Sequence, residues 1–466
     1  ALECFRKMTL DQISPDASTF VCCLKSSSLL VSITEGRELH SEIAMKGFEN
    51  NHLVTATLID MYTKCELLTE AQDIFDRNVD HDVVSWTALI AGYVAQGYSE
   101  EALKCVERME NGNFSMNAVT FACIFQACSC IRSVNKSQEV HIKVVKKGME
   151  KEPITGSALT NMYCKLGRLE DAQNVAKKLP AQEVVVWTTL MDGYVEHGFA
   201  EKTLEIFQQM QHEGLSPNIV TFVCGLRACA SLGAIVEGQE IHMELVRKGL
   251  EQEPTAGNTL VYMYANTGSI SESRKVFDNL QFRDIVAWNI LIGGYSDCGL
   301  DKEVLRLFDE MHFHIVVPTA ATFAYVVKAC SSLGLIEKGF EAHKGIIQIA
   351  AERDPSIANC LIGLYAGCGF FSEAVQIFGQ MPDKTVVSFT ALISGYAEAS
   401  KSQEAINCYE RMHDNEDDLT PDMVTLSCCL KACGSIKLID KGIHIHNVIY
   451  INGLLQRDAM LGNALV

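Results

Sequence analysis

Proline and positive charge are scarce in this 466-residue chain, and it contains no unbroken run of about 18 apolar residues. The last absence excludes a membrane-spanning helix. With 39 lysines and arginines against 58 aspartates and glutamates, the net charge is -19, which argues against loose, charge-driven binding to nucleic acid or an anionic membrane. The chain has no phosphate-binding glycine loop, no C-x-x-C pair and no nucleophile set beside a base, so nothing points to catalysis or calls for a cofactor. Neither a signal-peptide pattern nor an arginine-rich amphipathic leader opens the chain, which starts at Ala1. An interior segment of a longer protein is expected. The 19 cysteines are odd in number and scattered through apolar patterns, as reduced core residues of an intracellular compartment would be. At 48% hydrophobic residues the chain can bury a large core.

What the chain does have is a long period. Trp86, Trp187, Trp288 and Phe389 stand 101 residues apart, as do Tyr62, Tyr163, Tyr264 and Tyr365. Tyr93, Tyr194, Tyr295 and Tyr396 keep the same step, and so do His40, His141, His242 and His343. Each long unit divides into segments of 35, 31 and 35 residues that repeat one apolar pattern. Such self-similarity is the signature of stacked helical hairpins.

In the segment from Val83, residues Trp86, Leu89, Ile90 and Tyr93 fall at i, i+3, i+4 and i+7, the stripe of an amphipathic helix that stops near Gly97. A second helix is expected from Ser99, read as its N-cap, with Ala102, Leu103, Val106 and Met109 on one face. All nine prolines (Pro15, Pro153, Pro180, Pro217, Pro254, Pro318, Pro355, Pro382 and Pro421) fall at segment junctions and none inside an expected helix, where each would cost about 3 kcal/mol. Thirteen complete segments follow: 17–51, 52–82, 83–117, 118–152, 153–183, 184–218, 219–253, 254–284, 285–319, 320–354, 355–385, 386–422 and 423–458, with partial ones at 1–16 and 459–466. One hairpin cannot bury its apolar stripe alone. The expected fold is therefore all-α, a single continuous right-handed α-solenoid superhelix of helix-turn-helix hairpins with an inner groove.

Three segment types in fixed rotation resemble the P, L and S motifs of the plant-type pentatricopeptide repeat family. VVSWTALIAGYVAQGYSEEAL from Val83 looks like the P form, AVTFACIFQACS from Ala118 like the L form and NMYCKLGRLEDAQNV from Asn161 like the S form. The likeness spans the whole chain. Peptide-binding tetratricopeptide repeats, the nearest competitor, have a period of about 34 and a Trp-Leu-Gly-Tyr pattern that is absent here.

The resemblance implies that the fifth and last residues of each repeat together contact one base of single-stranded RNA. Thr87, on the helix face away from the core stripe, is expected to turn toward the groove. Threonine at the fifth position goes with purines and asparagine with pyrimidines, while an aspartate at the last position can accept the imino N–H that guanine and uracil carry and adenine and cytosine lack. So Thr87 with Asn117 and Thr188 with Asn218 are expected to read adenine, and Thr390 with Asp422 guanine. Asn258 with Asp284 is expected to read uracil; Asn289 with Thr319 and Asn359 with Thr385 are each expected to read a pyrimidine. Ala56 with Asp82 and Ser157 with Glu183 stay undetermined, as do the L repeats with Val21, Ala122, Val223, Ala324 and Ser427 at the fifth position. The expected core target is A-n-n-A-n-U-Y-n-Y-G for repeats 83 to 422. Val84, Val185, Val286 and Val387, second in their repeats, would sandwich successive bases. The thirteenth residue, basic and near phosphate in the family, is Lys64 and Lys165 in two S repeats, but Asn266 and Gly367 later. In P repeats it is Ala95, Glu196, Asp297 and Glu398, so few phosphate contacts are expected.

Other residue series read as structural. The histidines, with His446, sit three repeats apart, roughly 30 Å at helix spacings of 8–10 Å, too far to share a metal. Partly buried, hydrogen-bonded histidines are expected. The tryptophans and the series Cys128, Cys229, Cys330 and Cys433 read as core. His40-Ser41-Glu42 lies inside a repeat, and the zinc deaminase that ends many proteins of this family also needs P-C-x-x-C. By resemblance, the chain is the RNA-binding part of a mitochondrial or chloroplast factor for cytidine-to-uridine editing, acting with a deaminase or accessory editing factor in cis or in trans. Transcript stabilisation or processing, and a protein-interaction scaffold, are the alternatives.

Overall fold

In the computed structural model, which describes residues 1–11, 13–78, 81–179, 184–413 and 419–451, the described residues form 27 α-helices and no strand. The chain divides into two compact units, Ala1–Leu232 and Gly233–Val466. In the first, helices of 13 or 14 residues open at Ala17, His52, Val83, Ala118, Pro153, Val184 and Ile219; in the second, they open at Pro254, Ile285, Ala320, Pro355, Val386 and Met423. A second helix follows each of them.

The residue before many of these helices supplies the reason they start where they do. Asp82 accepts the Ser85 N–H at 2.8 Å, Asn117 the Thr120 N–H at 2.9 Å and Asp422 the Thr425 N–H at 2.7 Å, each satisfying a helix N–H that has no partner within the helix. Proline does enter three helices, contrary to expectation, but only as Pro153, Pro254 and Pro355 at the first helical position, where no N–H is needed. Ser99 is also not an N-cap. It is the first residue of helix Ser99–Asn111, behind Tyr98, and its buried hydroxyl has no partner.

Within each unit, neighbouring first helices pack on one another, and a first helix packs on its own second helix where both lie in that unit. Gly92 and Gly193 in the first unit, and Gly294 and Gly395 in the second, allow this close approach: a Cβ at these positions would come within 2.2 to 2.8 Å of Thr63, Cys164, Ala265 or Ala366 on the preceding first helix. The core stripe fills the space between the two helical rows. Trp86 meets Phe75 edge-on at 4.5 Å, Trp288 meets Phe277 at 4.7 Å and Phe389 meets Phe378 at 4.9 Å. Trp187 departs from the expected core role because Ala176 stands where its counterparts have phenylalanine. It is only partly buried and lines a cavity of about 170 Å³ with Ala176, Leu179 and Ile206.

The histidine series ties L repeats to the S repeats that follow. The Nδ1 atoms of His40, His141, His242 and His343 lie 2.9, 2.8, 2.9 and 2.7 Å from the hydroxyls of Tyr62, Tyr163, Tyr264 and Tyr365. Burial holds His40, His242 and His343 below the usual histidine range and pushes Tyr163 and Tyr365 up to about 12. Cys128, Cys229, Cys330 and Cys433 are buried.

Candidate nucleic-acid interface

The second residue of each first helix points away from the core. Val84, Val185, Val286 and Val387 leave half or more of their surface in solvent. The same register position is exposed and apolar in other repeats, at Leu53, Val119, Ile154, Val220 and Val424. Sequence reasoning singled out only the P-repeat valines, although the shared register position marks the others. In the first unit these side chains form an unbroken row, one per repeat, from Leu53 to Val220; in the second, Thr255 and Ser356 stand at the same register position and interrupt it.

The fifth and last residues of a repeat come together one helix further on, because the last residue caps the next first helix. Asn258 Nδ2 donates to both carboxylate oxygens of Asp284 at 3.1 Å. Asn289 Nδ2 donates to Thr319 Oγ1 at 3.0 Å. Thr390 Oγ1 stands 3.5 Å from both oxygens of Asp422. Thr87 and Thr188 make no direct bond to Asn117 and Asn218. They are 8% exposed, wedged between neighbouring first helices rather than open to the groove, and each donates to the backbone carbonyl one turn back, Val83 or Val184, at 2.7 Å. Asn117 and Asn218 are exposed. In the remaining pair, Asn359 Oδ1 is buried without a partner while Thr385 accepts the Ser388 N–H at 3.4 Å. Glu183, which would pair with Ser157, lies outside the described residues.

Between the fifth and last residues stands a third residue that sequence reasoning passed over. Thr120, Thr221, Thr322 and Thr425, third in their L repeats, are fully buried. Their hydroxyls lie 2.8 Å from Thr87 Oγ1, 3.1 Å from Thr188 Oγ1, 2.6 Å from Asn289 Oδ1 and 2.6 Å from Thr390 Oγ1. The same hydroxyls reach the last residue: Thr120 donates to Asn117 Oδ1 at 2.9 Å, Thr221 to Asn218 Oδ1 at 2.9 Å and Thr425 to Asp422 Oδ1 at 2.7 Å. The signal was present, since threonine recurs at 19, 120, 221 and 322 in step with the long period.

Cations near this row are few. Lys64 is drawn to Asp60, its ammonium 2.8 Å from the carboxylate, whereas Lys165 is exposed and has no ion pair among the described residues. The ninth residue of a repeat follows the second by seven, which on a helix returns to the same face within about 20°. In L repeats that ninth residue is Lys25, Gln126, Arg227, Lys328 or Lys431, a basic set with one exception. Lys25, Lys328 and Lys431 are exposed and free of ion pairs among the described residues, while Arg227 lies 3.6 Å from Asp192.

The sequence matches the PPR repeat family over residues 81–130, 182–231 and 283–332, and the PPR repeat over 356–386 and 387–416. The chloroplastic pentatricopeptide repeat-containing protein At4g18520 of Arabidopsis thaliana is 31% identical over 432 residues, 93% of this chain and 69% of that protein. The chain belongs to the pentatricopeptide repeat family. A second Arabidopsis thaliana member, At5g27110, is 32% identical over 95% of the chain, which spans 64% of that relative and 54% of the chloroplastic member At1g11290. At4g18520 and At1g11290 are chloroplastic by name and a further relative, At3g09040, is mitochondrial, in keeping with the organellar location that the family resemblance implied. Among solved structures, the pentatricopeptide repeat protein PPR10 from maize covers 94% of this chain with a TM-score of 0.60, aligning 74% of its own chain at 16% identity. A cysteine-to-serine variant of PPR10 in complex with an 18-nt psaJ RNA element covers 100% of it with a TM-score of 0.71, aligning 72% of its own chain, again at 16% identity. These likenesses show that the all-helical fold is the solenoid of tandem hairpins that the repeat period implied.

Proposed function

We propose that this chain is a P-L-S array that binds single-stranded RNA base by base and serves as the specificity part of an organellar cytidine-to-uridine editing factor. The observation that carries RNA reading is the repeated junction in which a fifth and a last residue from one repeat are bonded together, or through a shared threonine, beside an exposed apolar second residue. A junction of this kind offers a base edge hydrogen-bonding groups and offers its face an apolar contact. The junction recurs at the P repeats and at Asn258 with Asp284, and the resemblance assigns one base to each repeat, so repeat number would set the length of RNA read. The fixed 35, 31, 35 rotation supports the P-L-S reading, and editing rests on that resemblance together with a deaminase supplied in cis or in trans.

The core target is A-n-n-A-n-U-Y-n-Y-G, with Lys165 and Lys328 meeting its phosphates and Lys25 and Lys431 those of the flanking nucleotides. Competition binding tests it. An RNA carrying this core is expected to be retained at least tenfold better than a scrambled RNA of the same composition, a margin that one or two good base contacts supply at about 1–3 kcal/mol each. Equal retention of the two would remove the base assignments, and retention of neither would favour a protein-interaction scaffold. Editing itself is read by adding a deaminase partner and sequencing a transcript for conversion of a cytidine just downstream of the bound stretch.

A further inference from the structure

We infer that the buried third-position threonine of an L repeat sets the hydrogen-bonding polarity of the base reader just before it, so that Thr221 makes Asn218 a donor and thereby excludes guanine. The inference rests on the base-reading role proposed above. The Thr221 backbone N–H can only donate, so the atom of Asn218 that faces it at 2.9 Å is the amide oxygen. The Thr221 hydroxyl donates to the same oxygen at 2.9 Å. Both lone pairs of Asn218 Oδ1 are then occupied. What Asn218 has left for a ligand is its Nδ2 amide, a pure donor.

Thr188 has one hydrogen for two acceptors, the Val184 carbonyl at 2.7 Å and the Thr221 hydroxyl at 3.1 Å; when it turns to Thr221, whose own hydrogen is on Asn218, the two hydroxyls link fifth residue to last. Adenine accepts at its ring N1, whereas guanine carries a hydrogen there. Set opposite ring N1, a donor-only amide therefore bonds adenine but meets a second donor in guanine. The same geometry recurs at Thr120 and Asn117, with 2.9 Å for both the N–H and the hydroxyl contact. At Thr425 the same arrangement has the opposite outcome, because Asp422 has no hydrogen to offer. Its Oδ1 takes the Thr425 N–H and hydroxyl, both at 2.7 Å, and its Oδ2 is left to accept, as a guanine N–H requires. Thr322 instead donates to Asn289 Oδ1 at 2.6 Å while Asn289 Nδ2 donates to Thr319 at 3.0 Å. One donor and one acceptor remain there, which fits a reader that accepts either pyrimidine.

Thr221→Val keeps the side-chain shape and the backbone N–H contact but removes the hydroxyl. It frees one lone pair on Asn218 and leaves Thr188 its bond to Val184. The test measures binding of two RNAs that differ only by adenine or guanine opposite repeat 184–218. Thr221→Val is expected to narrow the adenine preference by about three- to tenfold, the worth of one hydrogen bond, chiefly through tighter binding of the guanine RNA. Thr221→Ser is expected to keep the preference. Asn218→Asp reports on the base-reading role itself and is expected to reverse the preference toward guanine. If Asn218→Asp reverses it and Thr221→Val leaves the margin unchanged, the polarity role of threonine is overturned while base reading stands. If Asn218→Asp changes nothing, base reading at this repeat fails and the inference falls with it. Thr120→Val, read at the base opposite repeat 83–117, gives the same measurement at a second site should the Thr221 variant lose its helical melt.

Discussion

Raising salt from about 50 to about 200 mM separates a reader that depends on base contacts from one held by charge, because each neutralised phosphate adds about 0.7 to the logarithmic salt slope of single-stranded binding. Four cations on the base-facing side are exposed and free of ion pairs among the described residues: Lys25, Lys165, Lys328 and Lys431. Lys64 and Arg227 are held by Asp60 and Asp192 at 2.8 and 3.6 Å, and breaking those pairs offsets what a phosphate would gain. Four contacts give a slope near about -3 and a loss of about 50-fold across that fourfold salt change. Fluorescence anisotropy with a labelled core RNA at four or five salt concentrations measures the slope. Lys165→Ala combined with Lys328→Ala is expected to flatten it by about 1.4 while leaving base preferences unchanged. A slope steeper than about -5, or a double variant with the parent slope, would mean that phosphates are met by surfaces other than these, and the assignment of Lys165 and the ninth-position lysines would be wrong.

Two stability predictions come from breaks in the repeat pattern. Ala176→Phe restores the ring that Phe75, Phe277 and Phe378 supply elsewhere and fills much of the cavity of about 170 Å³ beside Trp187; a gain of about 1–2 kcal/mol is expected in denaturant titration, and a loss would mean that the cavity walls cannot admit the ring. Val31 ends the helix Ala17–Leu30 with φ at 51°, a left-handed conformation that Gly233 and Gly334 adopt at the matching positions. Val31→Gly is expected to raise stability by about 1 kcal/mol, since a β-branched residue is strained there and glycine is not, and an unchanged or lower melting temperature would refute that account.

The helical fold could be read from the sequence because the 101-residue step places the same core residues in every unit, and a stripe such as Trp86, Leu89, Ile90 and Tyr93 admits only one helix face. The partner of each reading residue was harder to see. Thr87 meets Thr120, and Thr188 meets Thr221, 33 residues further along the chain, a distance at which local periodicity is silent and only packing of neighbouring first helices brings the hydroxyls together. For the same reason Thr87 looked free to face the groove when considered on its own helix, yet the next helix covers it. Ser99 was misjudged through local chemistry. Serine followed by two glutamates has the composition of an N-cap, but Tyr98 takes that place and Ser99 is already helical. The partial exposure of Trp187 was legible in principle, as Ala176 visibly interrupts a series of phenylalanines.

Capping explains why the residues proposed to read bases come from so small an alphabet. The last residue of a repeat must satisfy the N–H groups that open the next helix, and asparagine, aspartate, serine and threonine do this best. Those same side chains differ in what they offer a base, so Asn218→Asp exchanges a donor for an acceptor at a cost to the cap of a few tenths of a kcal/mol, whereas Asn218→Ala would lose about 1 kcal/mol of helix start together with the base contact. An alanine scan at these positions therefore overstates base reading. At the junction from L to S repeats the coupling weakens. Asn51 and Asp354 cap the helix that follows, 3.1 and 2.8 Å from the N–H groups of Leu53 and Ser356, but Glu152 and Glu253 form no side-chain cap. The third residue of the S repeat is Val54, Ala256 or Ile357 in three of four cases, so no hydroxyl is available to fix the polarity of the residue before it. The fifth residue of the L repeat is itself apolar in Val21, Ala122, Val223 and Ala324. Fifth residue, hydroxyl and cap thus coincide where a P repeat meets an L repeat, and under the proposed reading base selectivity should be weakest where an L repeat meets an S repeat.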